Sequence, residues 1–572
     1  MDRDFREALA TGYERLGAWA ELLDRINVFP VADGDTGRNL VASFAPLRRT
    51  ELPRDALVRA LLLGARGNSG NIGARFLEGF VGGDAGAPLR ARAVRGGELA
   101  RSAVVEPRDG TMLTLFDRLA EALARAGEPL AHGAAEALLD DLERTVRETR
   151  ERLEPCRRAG VPDAGALGMF LFVDGFLARQ LGRTDALRDP VERFPEAAAF
   201  RPEPGGPAAS GFCVDAVVRA AGMADDVRRS LERSGESVVS LRRDEFVKVH
   251  LHAADRDALR RDLERLGTVV RWSADDLRQQ AQEFARPAAA QAIHVVTDAA
   301  GSMSRDVARR LGVTLLDSYI SIGEASVPET LLEPDVLYAA MRGGERVSTS
   351  QASVFERRQH YEKALRLHGR ALYLCVGSAF TGNHATVLEW QRLHDPDGQL
   401  VALDTGAASG RLGLIARAVA RRALSSSDAG EVVAFARRAI VACREWVFLD
   451  RLQWLAAGGR LSRPGAFFGD LLHVKPIVSP LPEGARKVGT VRRASDQLPF
   501  ALARLEETLG PRGAGSVLLQ HSDNRARLEE ELLPAVRARF PAAEVEVAPL
   551  SLTSGAHMGP GTWAAAALPP DL

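Results

Sequence analysis

Residues 33–36 read DGDT, and the carboxylates of Asp33 and Asp35 flank a single glycine. A tight Asp-x-Asp turn can present both carboxylates to one hard cation, and oxygen ligands with phosphate bridging are what Mg²⁺ prefers. Thr36 stands where it could cap a following helix, and a helix N-terminus attracts phosphate. The same residues also describe a plain capping turn with solvated acids. Three other stretches place small polar residues ahead of an apolar helical pattern: GARGNSGN from Gly64, GTMLT from Gly110 and AGVPDAGALG from Ala159, which carries Asp163. Exposed amides in such turns can cradle phosphate. There is no G-x-x-x-x-G-K-[ST], so this is not a P-loop protein.

Further along, residues 248–252 read KVHLH. In a strand His250 and His252 face the same way, and the distant Cys213 could join them in a Cys/His₂ set that suits Zn²⁺. The spacing also fits an ordinary strand face with a core cysteine. Beyond residue 292 the polar clusters are TDAAGSMS (297–304), VSTSQAS (347–353), GSAFTGN (377–383), LDTGAASGRLG (403–413), AAGGRLSR (456–463), HVKPIV (473–478) and SGAHMGPGT (554–562). Polar groups gathered at strand ends of an α/β fold suggest a binding crevice. Hydroxyls, histidines and Arg460 suit a carboxylate head group. His557 could act as a base, but no G-x-S-x-G elbow accompanies it. Taken singly, each Ser or Thr reads as a turn cap.

These residues must be positioned by three kinds of segment. Residues 1–180 carry apolar residues three and four apart, as in REALATGYERLGAWAELLDRI and LTLFDRLAEALARA, so an all-helical domain is predicted. Residues 187–209 are rich in Pro, Ala and Glu and read as a linker. GFCVDAVVRA, ESVVSL and EFVKVHLHA read as strands, and MADDVRRSLERSG and DRDALRRDLERLG as helices, which makes a small α/β domain. After a second polar stretch, LRQQAQEFARPAAAQA, βα alternation runs to the end, with AIHVVTD, RALYLCVGS, GQLVALDT, GSVLLQHS and AEVEVAPLS as strands. The expected boundaries are 1–186, linker 187–209, 210–280, linker 281–291 and 292–572, the last with two lobes.

Length and composition agree with a multidomain globular protein: 572 residues, 46% hydrophobic, 26% charged. A net charge of -1 gives no global pull toward nucleic acid or an anionic membrane. Four cysteines far apart suggest no disulfide framework. With no apolar leader at MDRDFREALA and no bilayer-spanning run, a cytoplasmic location is expected.

The order NVFPVADGDTGRN, ARGNSG, GTMLT and AGVPDAGALG resembles the nucleotide-binding domain of the dihydroxyacetone-kinase family, and more closely the kinase subunit of bacterial fatty acid kinases. The resemblance covers about residues 8–182 and implies a barrel of helices whose acidic loop binds Mg²⁺ and ATP. It places Asn27, Asp33 and Asp35 at the metal, and Asn39, Ser69, Gly70, Gly110, Thr111, Met112 and Asp163 along the nucleotide. Ala166 departs from a common glycine. The middle segment is similar to the middle domain of the same kinase family, where a Cys and two His can hold zinc. Here Phe212 and Asp215 stand in place of Tyr and Glu, and a structural or regulatory metal is the expectation. Residues 292–567 resemble the DegV family of lipid-binding proteins, which hold a fatty acid with its carboxylate at a tunnel mouth. That resemblance implies ligand contacts at Thr349, Ser350, Ser378, Thr381, Arg460, Arg492 and His557, with Lys475 and Pro476 in a structural turn. Ala299, Ala300, Ala352, Gly377 and Asn383 depart from its motifs.

Together these resemblances imply a fusion of kinase and lipid-binding modules: an ATP-dependent phosphotransferase that turns a bound fatty acid into an acyl phosphate. Asp33, Asp35, Arg460 and His557 would be its catalytic residues, and tethering would raise the local concentration of acyl carrier. ATP and Mg²⁺ are the implied cofactors, with Zn²⁺ in the middle domain. The implied partners are a fatty acid, a second copy of the chain and a downstream acyltransferase. Two other classes stay open: a dihydroxyacetone-type small-molecule kinase, and a non-catalytic lipid-binding or regulatory protein.

Overall fold

The structure is a computed structural model that describes residues 2–83, 86–202, 211–220, 235–284, 291–451, 454–455 and 475–570. The chain divides into two compact units, Met1–Pro287 and Ala288–Leu572, with the short stretch Glu324–Ser326 counted to the first.

The first unit opens with helices alone: α1 (Arg3–Ala18), α2 (Ala20–Arg25), α3 (Thr36–Phe44), α4 (Arg54–Gly64), α5 (Gly67–Gly82), α6 (Leu89–Ala103), α7 (Met112–Ala126), α8 (His132–Arg152), α9 (Glu154–Ala159) and α10 (Ala164–Gln180). The expected helical domain is thus observed. Its axis is α10, buried at every residue from Ala164 to Ala178, as a helix apolar on all sides must be. α1 packs along it at close range. A Cβ on Gly12 would lie 2.6 Å from the Phe172 carbonyl oxygen, and one on Gly175 would lie 2.9 Å from that of Thr11.

This contact also buries charge. Arg15 Nε lies 3.4 Å from Asp174 Oδ2, both side chains almost wholly enclosed. Burial pushes the Asp174 carboxyl up, and Arg15 and the Arg188 amide only partly offset that. Arg188 is held in turn by Glu136, Asp140 and Glu143 on α8. Two short helices follow, α11 (Pro190–Arg193) and α12 (Pro195–Ala199), and between them Phe194 is buried edge-on against Phe170. Residues 188–199 are therefore packed structure where composition suggested a linker. The Pro- and Glu-rich sequence hides one anchoring arginine and one core phenylalanine.

The middle segment of the same unit is a four-stranded antiparallel sheet. Its strands are β1 (Phe212–Ala220), β2 (Glu236–Arg243), β3 (Phe246–Ala253) and β4 (Gly267–Asp276), in the order β2-β3-β1-β4. β4 adds a strand to the three expected. The helix Arg256–Leu266, capped by the Asp255 carboxylate, drops Leu259 and Leu263 onto Val214, Ala216, Val249 and Leu251. Residues 223–234 of the other expected helix lie outside the described residues. The polar stretch after Asp276 begins as a helix, Leu277–Phe284, with Asp276 accepting from the amides of Arg278 and Gln279, so residues 281–284 of the expected linker are helical.

In the second unit, β5 (His294–Asp298), β6 (Val313–Leu316), β10 (Ala371–Cys375) and β11 (Leu400–Asp404) form a parallel sheet ordered β11-β10-β5-β6. β8 (Ala325–Pro328), β7 (Ser318–Ile322) and β9 (Val347–Gln351) form a three-stranded sheet in that order. A six-stranded sheet runs β14-β13-β12-β17-β15-β16, from β12 (Arg444–Phe448), β13 (Lys475–Leu481), β14 (Gly484–Val491), β15 (Gly515–His521), β16 (Ala543–Pro549) and β17 (Trp563–Leu568). Lys475 and Pro476 open β13 and pair with Val491 and Thr490, so they are strand residues, not the expected turn. β17 reads WAAAAL. Alanine is a poor strand former, yet both faces of this central strand are buried and small side chains fit there. Among the described residues no helix is long and apolar enough to cross a membrane.

Replacing Asp174 by Ala removes the carboxylate that pairs with the buried Arg15 guanidinium. The expected loss is about 3–5 kcal/mol, read as a lowered midpoint in urea unfolding of the first unit; a loss below about 1 kcal/mol would show the pair to be dispensable.

Candidate functional site

The acidic turn is held in place by its own hydrogen bonds. Asn27 Nδ2 donates to Asp33, and Thr36 Oγ1 donates to Asn27 Oδ1 at 2.7 Å. Asp24 accepts from the Arg38 amide at 3.0 Å and pairs with its guanidinium at 3.3 Å, while Arg38 Nη2 donates to the Gly34 carbonyl at 2.8 Å. The turn between α2 and α3 is thereby closed at both ends. Thr36 is the first residue of α3 and its hydroxyl is spent on Asn27, so it does not act as the expected cap. Asp33 is buried, and burial first, then the neighbouring Asp35, pushes its carboxyl well above the usual range.

Facing this turn is the start of α5. Residues 67–71 are its first turn, where the sequence suggested a loop ahead of it. Gly67 has φ +61°, and a Cβ there would meet Asn39 Nδ2 at 2.0 Å, so only glycine fits. Ser69 Oγ lies 3.4 Å from Thr36 Oγ1. Gly70 also lets α5 lie close on α3, since a Cβ on it would strike Ser43 Oγ. Asp163 caps α10 by accepting from the Ala166 amide at 2.7 Å and also bonds the Met112 amide; burial pushes its carboxyl up to about 7. Space beside Gly165 is shared by Met112 Cε, Asp163 Oδ1 and Ser69 Oγ. Gly110 and Thr111 serve the start of α7: the Gly110 amide donates to Thr114 Oγ1 and Thr111 Oγ1 accepts from the Leu113 amide.

The third wall comes from the middle sheet. β1 and β3 pair Cys213 with His252, Asp215 with His250 and Val217 with Lys248. Strand alternation sends Val214, Ala216, Val249 and Leu251 into the sheet's core and the polar residues to the other face. The donor atoms of Cys213, His250 and His252 lie within 4.8 Å of one another. One open cleft is lined by Asn27, Asp33, Asp35 and Thr36, by Asn39 and Gly67–Ser69, and by Cys213, His250 and His252. The acid pair and the Cys/His set thus share one site, which the sequence treated as two. Asp215 and Lys248 were not singled out for a role; their signal is the alternation that puts them on the face of the expected ligands.

The donor set fits a metal. His250 is buried; its Nδ1 lies 3.4 Å from Asp215 Oδ2, and its Nε2 has no hydrogen-bond partner among the described residues. His252 is pushed down to about 3 by burial and by His250, so its imidazole is neutral, the form that ligates. Burial, then Asp35 and Asp215, pushes the Cys213 thiol well up; a bound cation would supply the charge that a thiolate needs. Asp215 is itself held below the ordinary carboxylate range, because Lys248 and His250 outweigh its burial.

In the second unit Thr349 and His557 meet, Oγ1 to Nε2 at 3.2 Å. His557 rides on the helix Leu552–Met558. Ser551 caps that helix, and Glu329 accepts from the Thr553 amide at 2.9 Å. Glu329 is fully enclosed and pushed up to about 8 by burial. Ser350 is exposed and, by strand alternation, on the other face of β9 from Thr349. Ser378 is exposed, its amide bonded to Asp404; Thr381 Oγ1 accepts from the Asn383 amide as a turn bond; Arg492 is exposed just past β14. Arg460 lies outside the described residues. Asp298 is a buried junction that accepts from Tyr373 Oη (2.9 Å), the Val376 amide (2.8 Å), Asn383 Nδ2 (2.8 Å) and Arg357 (3.3 Å). Asn383 is thus a framework residue rather than an altered ligand contact.

Three family models match the chain. They are the DAK2 domain over residues 30–178, the middle domain of the fatty acid kinase A-like type over 209–284, and the uncharacterised DegV protein family over 292–570. One chain joins all three, in that order. Among curated relatives, Protein YloV of Bacillus subtilis is 28% identical over 367 residues, which is 57% of this chain and 66% of YloV. Uncharacterized protein SH1689 of Staphylococcus haemolyticus is 26% identical over 310 residues, 49% of this chain and 56% of that protein. The chain therefore matches between half and two thirds of these relatives' length. Solved structures similar to it include a fatty-acid-binding DegV family protein from Thermus thermophilus (23% identity, 48% of this chain and 99% of that one, TM-score 0.44). Another is DegV, a fatty acid binding protein from Bacillus subtilis (19% identity, 49% and 100%, TM-score 0.45).

With the Asp33 carboxyl raised in the folded chain, ionising it costs stability as pH rises past the ordinary carboxyl range of about 4. A cation between Asp33 and Asp35 removes that cost. The rise in melting temperature caused by Mg²⁺ should therefore be larger at pH 8 than at pH 5 and disappear in Asp33→Asn; scanning calorimetry that finds equal rises at both pH values would refute the site.

Proposed function

We propose that this chain is a phosphotransferase that uses ATP and Mg²⁺ to phosphorylate the carboxylate of a fatty acid, giving an acyl phosphate and ADP. The observation that carries this reading is the pair of buried Asp33 and half-buried Asp35 opening into the same cleft as the first turn of α5. The matches to a DAK2 domain and to a middle domain of the fatty acid kinase type support it, the second giving the acceptor class.

Each residue then has a task. Asp33 and Asp35 hold the cation, with Asn27 fixing the Asp33 carboxylate; bound there, Mg²⁺ supplies positive charge against the β- and γ-phosphates. The amides at Gly67–Ser69 and the Ser69 hydroxyl take phosphate oxygens. Asn39, Met112 and Asp163 form the adjoining wall. The acid needs no general base, because a carboxyl with an ordinary pKa of about 4.3 is ionised at neutral pH. Its oxygen forms the new bond to the γ-phosphorus in line, while the bond from γ-phosphorus to the bridging oxygen breaks and its electron pair leaves on ADP. Placement is the main demand. In the C-terminal region Thr349 and His557 are proposed to hold the carboxylate, with the acyl chain lodged in the DegV-type fold. The Cys213–His250–His252 set, on the wall of the nucleotide cleft, is proposed to hold Zn²⁺.

The test is to incubate the whole chain with ATP, Mg²⁺ and fatty acids of graded length, trapping acyl phosphate with hydroxylamine. Hydroxamate should form, and Asp35→Ala should reduce it by about a hundredfold or more while leaving co-purified lipid, read by mass spectrometry, unchanged. Phosphorylation of a triose alone would replace the acceptor. ATP binding without turnover on any acceptor would favour a binding or regulatory role.

A further inference from the structure

Between the sheet and the helices of the first unit sits one carboxylate that serves both. Asp215 Oδ2 accepts from the Gly67 amide at 2.9 Å, and Oδ1 accepts from Lys248 Nζ at 2.7 Å and faces Asn71 Nδ2 at 3.4 Å. Asn71 Nδ2 also donates to the Gly67 carbonyl at 2.7 Å. Gly67 N–H is among the first donors of α5, which have no partner within the helix; Asp215 fixes its direction. On its other side Asp215 Oδ2 lies 3.4 Å from His250 Nδ1. A metal-ligating histidine characteristically donates its remaining N–H to a carboxylate, which sets the tautomer and the ring's orientation. The buried Lys248 ammonium pairs with Asp215 across the sheet and keeps it turned toward these donors.

The geometry assigns Asp215 as the positioning residue that couples metal occupancy of Cys213, His250 and His252 to nucleotide binding at the Asp33–Asp35 cleft. This rests on the kinase reading above. A metal on the histidine set fixes the His250 tautomer with Nδ1–H toward Asp215. The carboxylate, shared between that N–H and Gly67, then holds the first turn of α5 in the orientation that meets phosphate. Asn39 packs against Gly67 on its other side, where a Cβ would meet Asn39 Nδ2 at 2.0 Å. Removing the metal frees the ring and takes away one of the contacts that orient the carboxylate, leaving Lys248 and Gly67 to hold it.

The coupling is read without turnover, by calorimetric titration of the whole chain with Mg²⁺ and a non-hydrolysable ATP analogue, zinc-loaded and after chelation. The loaded protein should bind the analogue about tenfold more tightly. Zinc affinity, measured against a chromogenic chelator, should rise by the same factor when the analogue is present, because linkage is reciprocal. In Asp215→Asn, and in the double variant Asp215→Leu with Lys248→Met that leaves no unpaired buried ammonium, both factors should fall toward one while each ligand still binds. Equal analogue affinity with and without zinc in the parent chain overturns the coupling and leaves the kinase reading standing. Undiminished coupling in both variants overturns the assignment to Asp215. Absence of analogue binding by the parent chain in either state removes the kinase reading, and this inference with it.

Discussion

Holding two carboxylates side by side, one of them buried, is the constraint around which the first unit is organised. Asp33 and Asp35 repel each other and are partly cut off from water, so the turn that carries them gains nothing from their charge in the absence of a cation. Neutral and cationic neighbours hold it instead. Asn27 and Thr36 brace it from inside, and Arg38, through Asp24 and the Gly34 carbonyl, ties its outer edge. These contacts require α3 to start at Thr36 and to lie close to α5, which Gly70 allows against Ser43. α3 and α5 in turn rest on α1 and α10, whose close approach at Gly12 and Gly175 leaves room for one buried ion pair.

The middle sheet shows how one strand pair can serve a core and a site together. Its apolar face packs on the helix Arg256–Leu266, so β1 and β3 cannot slip by one residue without sending valines to the polar side. That register places Cys213 opposite His252 and Asp215 opposite His250. The stability of the sheet and the spacing of the donor set have the same cause. The acids nearby raise the cost of a bare thiolate at Cys213, which is the setting in which a bound cation has most effect on the folded state.

The second unit separates framework from contact. Asp298, the last residue of β5, is consumed by four donors in the interior, and Asn383 is one of them. The pair left facing each other is Thr349 and His557, brought from β9 and from a helix about 200 residues later in the chain. That helix is pinned at its first turn by Ser551 and by the enclosed Glu329, so the histidine is set by buried hydrogen bonds.

Much of this was legible in the sequence because it depends on short-range physics. Helical periodicity marked the first domain, alternation marked β1, β3 and the shared face of His250 and His252, and Asp-Gly-Asp marked the acidic turn. Local composition misled where a few long-range contacts outweigh it: at Arg188 and Phe194 in an apparent linker, and at β17, where alanines form a central strand. Local spacing could not tell which serine and threonine hydroxyls cap turns and which face a partner. The kinds of chemistry available were already set by residue identity, since that fixes the donors and carboxylates. That the acid pair and the Cys/His₂ set line one cleft, with Asp215 bonded to Gly67 and set beside His250, was decided by the fold, because Gly67 and Asp215 lie 148 positions apart and no local pattern relates them.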